Sequence, residues 1–483
     1  VSFLCLATAS YSITAVTMAY NGSLAYVGDQ IDIYLLVPVT EWLKTHSAPL
    51  FSMSSPWLLD PNWNGALPPL SRWNDPASHL GYAGHRPDDA LFLLQRGPRY
   101  FEAGLGLLLG WDAYQTLRPT QAIMLSMSLP ATYLFCRYLV GLSRPASLIG
   151  TACVGLNGVQ FYWIMRVHPG QSVWTFLLPA ALVVAFASLR DEGLRFSGGT
   201  GLLIAGLLIS YYQGAPLFAG LMLTATAVLL LRESLKARLL SRVVVMAAVS
   251  LLLAMPEHLK LALIWLSGSF VHPDWRWTPA PLSDALGTTI SSGALELVTG
   301  GGQAGELGAK LLQGTLSVGT ATALLFLSVA LVRELRYRKH RDYWSLVLGA
   351  AGLLIYLRLN SSGYMYSKAQ AMATFIFTAG IALGVDGAFQ FTRKAKPGGA
   401  WQKGSKLLVT ALAVSVLLLV MATNLALSNY VFWKPVGNKW NLKGWDAVGL
   451  GRLLPPGAIV ELSPGILGDP ESTWETLYSL RNL

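Results

Sequence analysis

Two carboxylates follow the first long apolar run of the chain, in the stretch Gly28-Asp29-Gln30-Ile31-Asp32. A carboxylate at a membrane surface is partly desolvated, which raises its pKa and suits it to act as a general base. Asp29 and Asp32 are also good N-caps for the helix-like stretch that runs on to Lys44. Both interpretations, proton acceptor and helix cap, stay open from the residues alone.

A second acidic pair, Asp88 and Asp89, precedes the apolar run 90–94. Aspartates directly before an apolar run are typical of a helix N-terminus. The pair is also a candidate for substrate binding.

Cations form the second group of candidates. Arg166 and His168 lie in a short connection after the third apolar run, and Arg358 and Lys368 flank another short connection. Guanidinium and ammonium groups bind phosphate by charge-assisted hydrogen bonds. Together these residues predict an anion site. The alternative is that the side chains extend to lipid headgroups.

Glu257 and His258 follow Pro256 near the end of a further apolar run. Ionisable residues at such depth are costly and often functional. Adjacent positions do not share a helix face, which disfavours a metal site made by these two residues. The three cysteines, Cys5, Cys136 and Cys153, lie in apolar segments and are interpreted as core thiols.

Membrane helices must position these residues. Of the 483 residues, 53% are hydrophobic and only 12% are charged, about half the charge of an ordinary soluble domain. Alternation with a period of two is absent, so the spans are predicted to be helices, about eleven in number. They are placed at 1–20, 117–140, 146–165, 172–189, 200–212, 216–231, 243–265, 313–332, 344–357, 370–390 and 407–428.

The basic residues indicate the orientation of the spans. Lys and Arg concentrate in alternate connections, which are 137–144, 190–195, 232–242, 333–341 and 393–406. Connections of this kind face the cytoplasm. The net charge of +10 is therefore assigned to membrane orientation, and nucleic acid is not a predicted partner.

The other side then holds the longer pieces. Within a transmembrane domain over 1–428, a first extracytoplasmic loop covers 21–116 and carries amphipathic interfacial helices. A second large loop covers 266–312, and an extracytoplasmic tail covers 429–483, which we interpret as the start of a soluble domain. No nucleotide-binding glycine loop, zinc-protease motif or serine-hydrolase elbow is found in the sequence.

The order of these motifs resembles the membrane glycosyltransferases of the GT-C superfamily, and within it the bacterial YfhO-like branch. The resemblance covers most of 20–390. It rests on short motifs in a fixed order, which are Gly28-Asp29, Tyr34, Pro38, Pro49-Leu50, Asn62-Trp63-Asn64-Gly65, Arg166 to His168 with Trp174 and Pro179, Tyr212-Gln213-Gly214, and Pro256-Glu257.

The resemblance implies an all-α, multi-pass, GT-C-like enzyme that uses a polyprenyl-phosphate sugar as donor. It implies that Asp29, with Asp32 second, is the general base on the acceptor. Arg166, Lys368 and Arg358, the predicted anion site, would then stabilise the leaving phosphate. The expected location is the bacterial inner (plasma) membrane, with the active face extracytoplasmic. No cofactor is assigned, and a divalent cation, Mg²⁺ or Mn²⁺, is compatible with the superfamily.

Two other classes of function remain as alternatives. A transporter or lipid flippase would show inverted repeats and ionisable residues near mid-span. The sequence has no visible repeat and few such charges. A non-catalytic membrane subunit of a larger complex is the second alternative, and the large apolar surface permits it.

Overall fold

The computed structural model describes a set of segments rather than every residue. These are 40, 43–44, 96–111, 113–155, 169–190, 194–231, 236–266, 325–337, 339–360, 363–394, 404–405, 407–412 and 414–415. All regular structure in these segments is helical, which confirms the all-α prediction for the described residues.

The helices are numbered in chain order. They are α1 Arg96–Leu109, α2 Ala113–Leu134, α3 Arg144–Gly155, α4 Pro169–Arg190, α5 Leu194–Tyr211, α6 Ala215–Leu230, α7 Lys236–Leu253, α8 Met255–Leu266, α9 with described part 325–337, α10 Arg341–Leu359 and α11 Gly363–Lys394. A short π-helical turn, Phe135–Leu139, extends α2. Gly141, with φ of 77°, then turns the chain towards α3 in a conformation that favours glycine.

Four helical segments in the described part are long and apolar enough to cross a membrane. They are Gly170–Arg190, Arg195–Leu230, Arg341–Leu359 and Lys368–Gln390, and the shorter apolar helix Leu239–Leu253 accompanies them. The chain is therefore an integral membrane protein. The total of about eleven spans stays a prediction, because several of the predicted spans lie outside the described residues.

The predicted interruption between 200–212 and 216–231 is confirmed. The 36-residue segment Arg195–Leu230 would be about 54 Å long as one straight helix, well beyond the ~30 Å of a bilayer core. The helix is instead interrupted after Tyr211. Helix α5 packs mainly on α4 and α7, whereas α6 packs mainly on α10.

The prediction of one continuous span over 243–265 is wrong in detail. Helix α7 begins at Lys236 and ends at Leu253, and α8 starts at Met255. The reason is Pro256, which has no backbone N–H to donate into a continuing helix and restricts the residue before it. Glu257 and His258 therefore lie in the first turn of a separate helix.

Helices α4 and α11 form the centre of the bundle. In α11, 89% of the residues in the apolar window are buried, and α3, α4 and α10 pack around it. Glycine allows α9 to approach it, because a Cβ at Gly384 would overlap the carbonyl oxygen of Phe326. Cys136 and Cys153 are buried, as predicted for core thiols.

Four of the five basic segments meet at one end of the bundle. The His340 Nδ1 atom is 2.8 Å from the carbonyl oxygen of Val140, and Arg190 pairs with Asp342. Arg242 donates to the last carbonyls of α4 at 2.9 Å, where a cation is favoured by the helix dipole. The position of these four segments at one end agrees with the prediction that the basic connections share one side of the membrane. The cytoplasmic assignment of this end stays a prediction.

Helix α1 lies within the predicted first extracytoplasmic loop. Its exposed residues include Tyr100, Phe101, Leu107 and Leu108. Its buried face carries Arg99, Glu102, Ala103 and Gly106. This pattern is the reverse of a helix on a soluble protein and suits a helix at the membrane interface, as the sequence predicts for this loop.

Candidate functional site

The candidate site forms where α5 breaks. Tyr211 ends α5 with φ of −165° and ψ of 87°, values that leave the helical region. A single 3₁₀ turn, Tyr212–Gly214, follows, and α6 begins at Ala215 with Pro216 in its first turn. Proline is well suited to this position, because the first N–H groups of a helix have no intrahelical partner. The break thus presents polar side chains between two apolar helices.

Four side chains from three helices and the turn form a hydrogen-bonded network at this break. The Gln171 amide Nε2 donates to the Tyr211 hydroxyl at 3.2 Å, and that hydroxyl donates to Gln213 Oε1. The Lys368 ammonium donates to the same Gln213 oxygen at 3.0 Å. Gln171 starts α4 and Lys368 lies in the first turns of α11, so the network joins the ends of α4, α5 and α11.

Lys368 is a buried cation, with only 3% of its surface exposed. Its Nζ lies 5.1 Å from the centre of the Tyr211 ring, within the range of a cation–π contact. An ammonium with so little water is strongly attracted to an anionic ligand, because the screening of its charge is weak. The role of Lys368 in binding an anion stays a prediction, and its burial beside Gln213 and Tyr211 is compatible with that role.

The network lies at the opposite end of the bundle from the basic segments. Along α11, Lys368 precedes Asp386 by about 27 Å at 1.5 Å per residue. Asp386 accepts a hydrogen bond from Ser143, in the connection before α3. The network around Lys368 and the basic loops are thus separated by roughly the thickness of the hydrocarbon core.

A tryptophan forms the wall beside the break. Trp174 is fully buried, and its indole Nε1 donates to the carbonyl oxygen of Leu207 at 2.8 Å. A Cβ at Gly214 would lie 2.7 Å from three atoms of the ring. Only glycine at position 214 lets the turn pack this closely on the indole, so the sequence Gln213-Gly214 fixes both a polar group and its apolar neighbour.

An apolar cavity of about 390 Å³ lies on the other side of this wall. Trp174, Leu207, Pro216 and Phe218 line it, with residues of α8 that include His258. Cavities of this size bind small molecules or part of a larger chain. The apolar lining favours a hydrocarbon rather than a sugar or a nucleotide.

Glu257 and His258 are placed by the start of α8. His258 Nε2 is 3.0 Å from the Ser250 hydroxyl in α7, and His258 lines the cavity. Glu257 is buried in the first turn of α8, where the helix dipole favours a negative charge. Within the described segments no group of three or more His, Cys, Asp or Glu side chains could hold a metal ion.

The other predicted site residues divide into two groups. Arg358 is half-buried in the last turn of α10, a position that the helix dipole favours for a cation. Six residues lie outside the described part of the chain, and their roles stay predictions: Asp29, Asp32, Asp88, Asp89, Arg166 and His168.

Several site residues are absent from the sequence-based predictions. Gln171 is one, and its Oε1 is buried without a hydrogen-bond partner among the described residues. Arg99 and Glu102 are others, and they form a fully buried ion pair on α1. Their spacing of three residues is a sequence signal for a helical pair, but spacing alone does not show that the pair is buried.

Comparison with known proteins reveals similarity at the level of structure. No protein-family model and no curated protein sequence matches the chain. The crystal structure of ArnT from Cupriavidus metallidurans in the apo state matches with a TM-score of 0.50 at 10% identity, over 99% of this chain and 84% of that one. The same protein bound to undecaprenyl phosphate matches with a TM-score of 0.51 at 11% identity and the same coverage.

The arabinofuranosyltransferase AftD from Mycobacteria matches with a TM-score of 0.44 at 13% identity, over 83% of this chain and 27% of that one. The YfhO-like branch stays a prediction. Because the ArnT structures match nearly the whole chain, the chain shares the fold of ArnT, in agreement with the GT-C-like fold that the sequence predicts.

Proposed function

We propose that this protein is a membrane glycosyltransferase that transfers a sugar from a polyprenyl-phosphate donor to an acceptor on the extracytoplasmic face. The observation that carries the proposal is the buried ammonium of Lys368, hydrogen-bonded to Gln213 at the break after α5. A phosphate and a hydrocarbon chain are the two parts of such a donor. The site offers a cation for the first and an apolar cavity for the second.

The GT-C fold supports the proposal, and so does the undecaprenyl phosphate bound to ArnT in one of the similar structures. The cavity of about 390 Å³ holds only part of a long polyprenyl chain, and the remainder lies between helices in the bilayer. A donor whose lipid chain lies partly in the cavity and partly between helices requires an enzyme embedded in the membrane. The sugar end of the donor then lies at the outer surface.

In the proposed reaction the acceptor hydroxyl oxygen forms a bond to the anomeric carbon of the sugar. The bond from that carbon to the phosphate oxygen breaks, and its electron pair leaves with the polyprenyl phosphate. The Asp29 carboxylate, with Asp32 as the second candidate, takes the hydroxyl proton. Lys368, Arg166 and Arg358 stabilise the negative charge that develops on the leaving phosphate.

The remaining candidates have supporting roles in this proposal. His258, on the wall of the cavity, and the adjacent Glu257 contact the donor near its phosphate end. His168, Asp88 and Asp89 contact the sugar or the acceptor. Lipids of the surrounding bilayer are the other partners.

The test is transfer from a polyprenyl-phosphate sugar by the full chain in liposomes. Lys368→Met keeps the length of the side chain and removes the charge. Loss of one group that stabilises developing charge costs about 10²- to 10³-fold in kcat. Lys339→Met is the matched control, because Lys339 is an exposed cation at the other end of the bundle. We expect Lys339→Met to retain the wild-type rate.

Asp29→Asn tests the base in the same assay, and wild-type transfer by that variant would contradict the role of Asp29. Repeating the assay with a chelator, and then with added Mg²⁺ or Mn²⁺, tests for a divalent cation. Lipid movement across the liposome without sugar transfer would refute the proposal in favour of a flippase. A stoichiometric copurifying protein together with no transfer would favour a non-catalytic subunit.

A further inference from the structure

Both partners of the ion pair on α1, Arg99 and Glu102, are buried. Arg99 Nη1 lies 2.5 Å from Glu102 Oε2, and both side chains are fully inaccessible to solvent. A buried ion pair contributes little net stability, because desolvation of the two charges offsets their attraction. Such a pair is more readily explained by what it positions than by what it adds to stability.

Glu102 also joins α1 to Thr40, an earlier residue of the predicted first extracytoplasmic loop. The hydroxyl of Thr40 donates to Glu102 Oε2 at 3.2 Å, across 62 positions of sequence. The second oxygen, Oε1, is buried without a hydrogen-bond partner among the described residues. The described contacts of this carboxylate, with Thr40 and with Arg99, are thus both made by the single oxygen Oε2.

A second contact fixes the same segment at the far end of α1. The Lys44 ammonium donates to the carbonyl oxygen of Trp111 at 2.7 Å. The Lys44 chain crosses α1 at Gly106, where a Cβ would lie 2.7 Å from Lys44 Cε. Thr40 thus contacts the middle of α1, and Lys44 contacts the chain just after its C-terminal end. Both residues follow Asp29 and Asp32 in the chain.

Helix α1 in turn contacts the candidate site. A Cβ at Gly97 would lie 2.7 Å from the Ser210 hydroxyl oxygen and 3.1 Å from its Cα, so the start of α1 is packed on the end of α5. Ser210 directly precedes Tyr211, whose hydroxyl bonds Gln213. A continuous series of contacts therefore leads from Thr40 through Glu102 and α1 to the network around Lys368.

We propose that Glu102 is a positioning residue for sugar transfer, and that with Arg99 and Thr40 it holds α1 against the break after α5. The inference rests on the proposed function, and it assigns Glu102 no contact with substrate. Loss of the Glu102 charge leaves the ammonium of Lys368 in place, so binding of the donor phosphate persists. The alignment of acceptor and donor is what suffers, because small displacements lower the rate steeply.

The experiment compares Glu102→Gln with Glu334→Gln in the full chain. Glu334 is a matched control, because it is also buried and also has one oxygen without a described hydrogen-bond partner, but it lies at the opposite end of the bundle. We expect Glu102→Gln to lower kcat by about 10-fold or more at a pH of about 8 or above, where the Glu102 carboxyl, whose pKa burial raises to about 7, is mostly ionised. The Kd for undecaprenyl phosphate is expected to stay within about twofold, and Glu334→Gln to match the wild type in both.

Two further variants separate positioning from simple damage. Glu102→Asp restores the charge and is expected to recover part of kcat. Thr40→Val removes only the hydroxyl, whereas Glu102→Leu removes the acceptor that this hydroxyl bonds. We expect the double variant of Thr40→Val and Glu102→Leu to be no slower than Glu102→Leu alone, because both changes break the same contact. Equal losses in Glu102→Gln and Glu334→Gln, or additive losses in the double variant, would overturn the inference.

Hydrogen exchange keeps the inference testable apart from the proposed function. Glu102→Gln is expected to increase amide exchange over 97–111 and 211–214, whereas Glu334→Gln leaves both regions unchanged. Unchanged exchange in Glu102→Gln overturns the positioning role whether or not transfer occurs. If the wild-type protein transfers no sugar but the exchange difference is present, the proposed function is refuted. The structural role of Glu102 in holding α1 is then still supported.

Discussion

Substitution of Gly214 by alanine tests the geometry of the break most directly. The backbone at Gly214 has φ of −78° and ψ of −14°, which alanine adopts without strain. Any effect must therefore come from the added methyl group. That methyl would lie 2.7 Å from three atoms of the Trp174 ring, whereas carbon atoms in good contact are about 3.5 to 4.0 Å apart.

The size of the effect follows from these distances. The indole must move by about 1 Å to relieve the overlap. Its hydrogen bond to the Leu207 carbonyl, now 2.8 Å, then lengthens beyond the normal range. Overpacking of a core typically costs about 1 to 3 kcal/mol, and a buried donor left without a partner costs about 1 to 3 kcal/mol more. We expect Gly214→Ala to lower the free energy of unfolding by about 2 to 6 kcal/mol.

The assay is thermal unfolding in detergent, followed with a thiol-reactive dye that reports exposure of the buried Cys136 and Cys153. Gly206→Ala is the control on α5. A Cβ there meets only Leu177 Cδ1, at 3.6 Å, so the substitution adds helix propensity worth about 0.5 to 1 kcal/mol. If the Gly214→Ala variant has the same unfolding midpoint as the Gly206→Ala variant, the assigned packing of the turn on Trp174 is wrong.

Three further predictions concern other parts of the bundle. Gly384→Ala should destabilise the protein much more than Gly352→Ala, measured by the same thermal assay, because the first methyl overlaps the backbone of Phe326 and the second meets nothing within 4 Å. Arg242→Met should lower the unfolding free energy by about 1 to 3 kcal/mol, because two buried carbonyls lose a charged donor; an unchanged midpoint would contradict the capping role. Burial raises the pKa of Glu102 from 4.5 to about 7, so the folded state retains a proton that the unfolded chain has released, and stability should fall as the pH rises from about 4.5 to 7, by at most about 3 kcal/mol. The dependence of the unfolding midpoint on pH should be flatter in Glu102→Gln, and identical profiles would contradict the burial of this carboxylate.

The buried ion pair and the buried ammonium have the same physical interpretation. Both Glu102 and Lys368 are ionisable groups with little access to water. Lys368 bonds Gln213 just after α5, and Glu102 lies on α1, which packs on the end of α5 at Ser210. Charges in such places are retained at a cost in stability, which is the usual mark of a functional site.

Composition and periodicity determined the class of this protein. Long apolar runs require helices in a membrane, because no other open structure satisfies its backbone hydrogen bonds there. The proline and glycine at 214–216 predicted the interruption after Tyr211, since local backbone chemistry alone decides it. The same reasoning missed the break at Ala254, where one proline, Pro256, lay within an apolar run that was interpreted as a single span.

Only the tertiary structure decided which polar residues act together. Lys368 was predicted to bind an anion, but its partners Gln213 and Tyr211 are more than 150 positions away in the chain, and no local pattern encodes such a pairing. Burial of the Arg99–Glu102 pair was likewise invisible, because an i, i+3 spacing is the same on an exposed helix. Local sequence sets where a helix starts and stops, whereas the packing of distant helices decides which charges lose their water and so acquire a function.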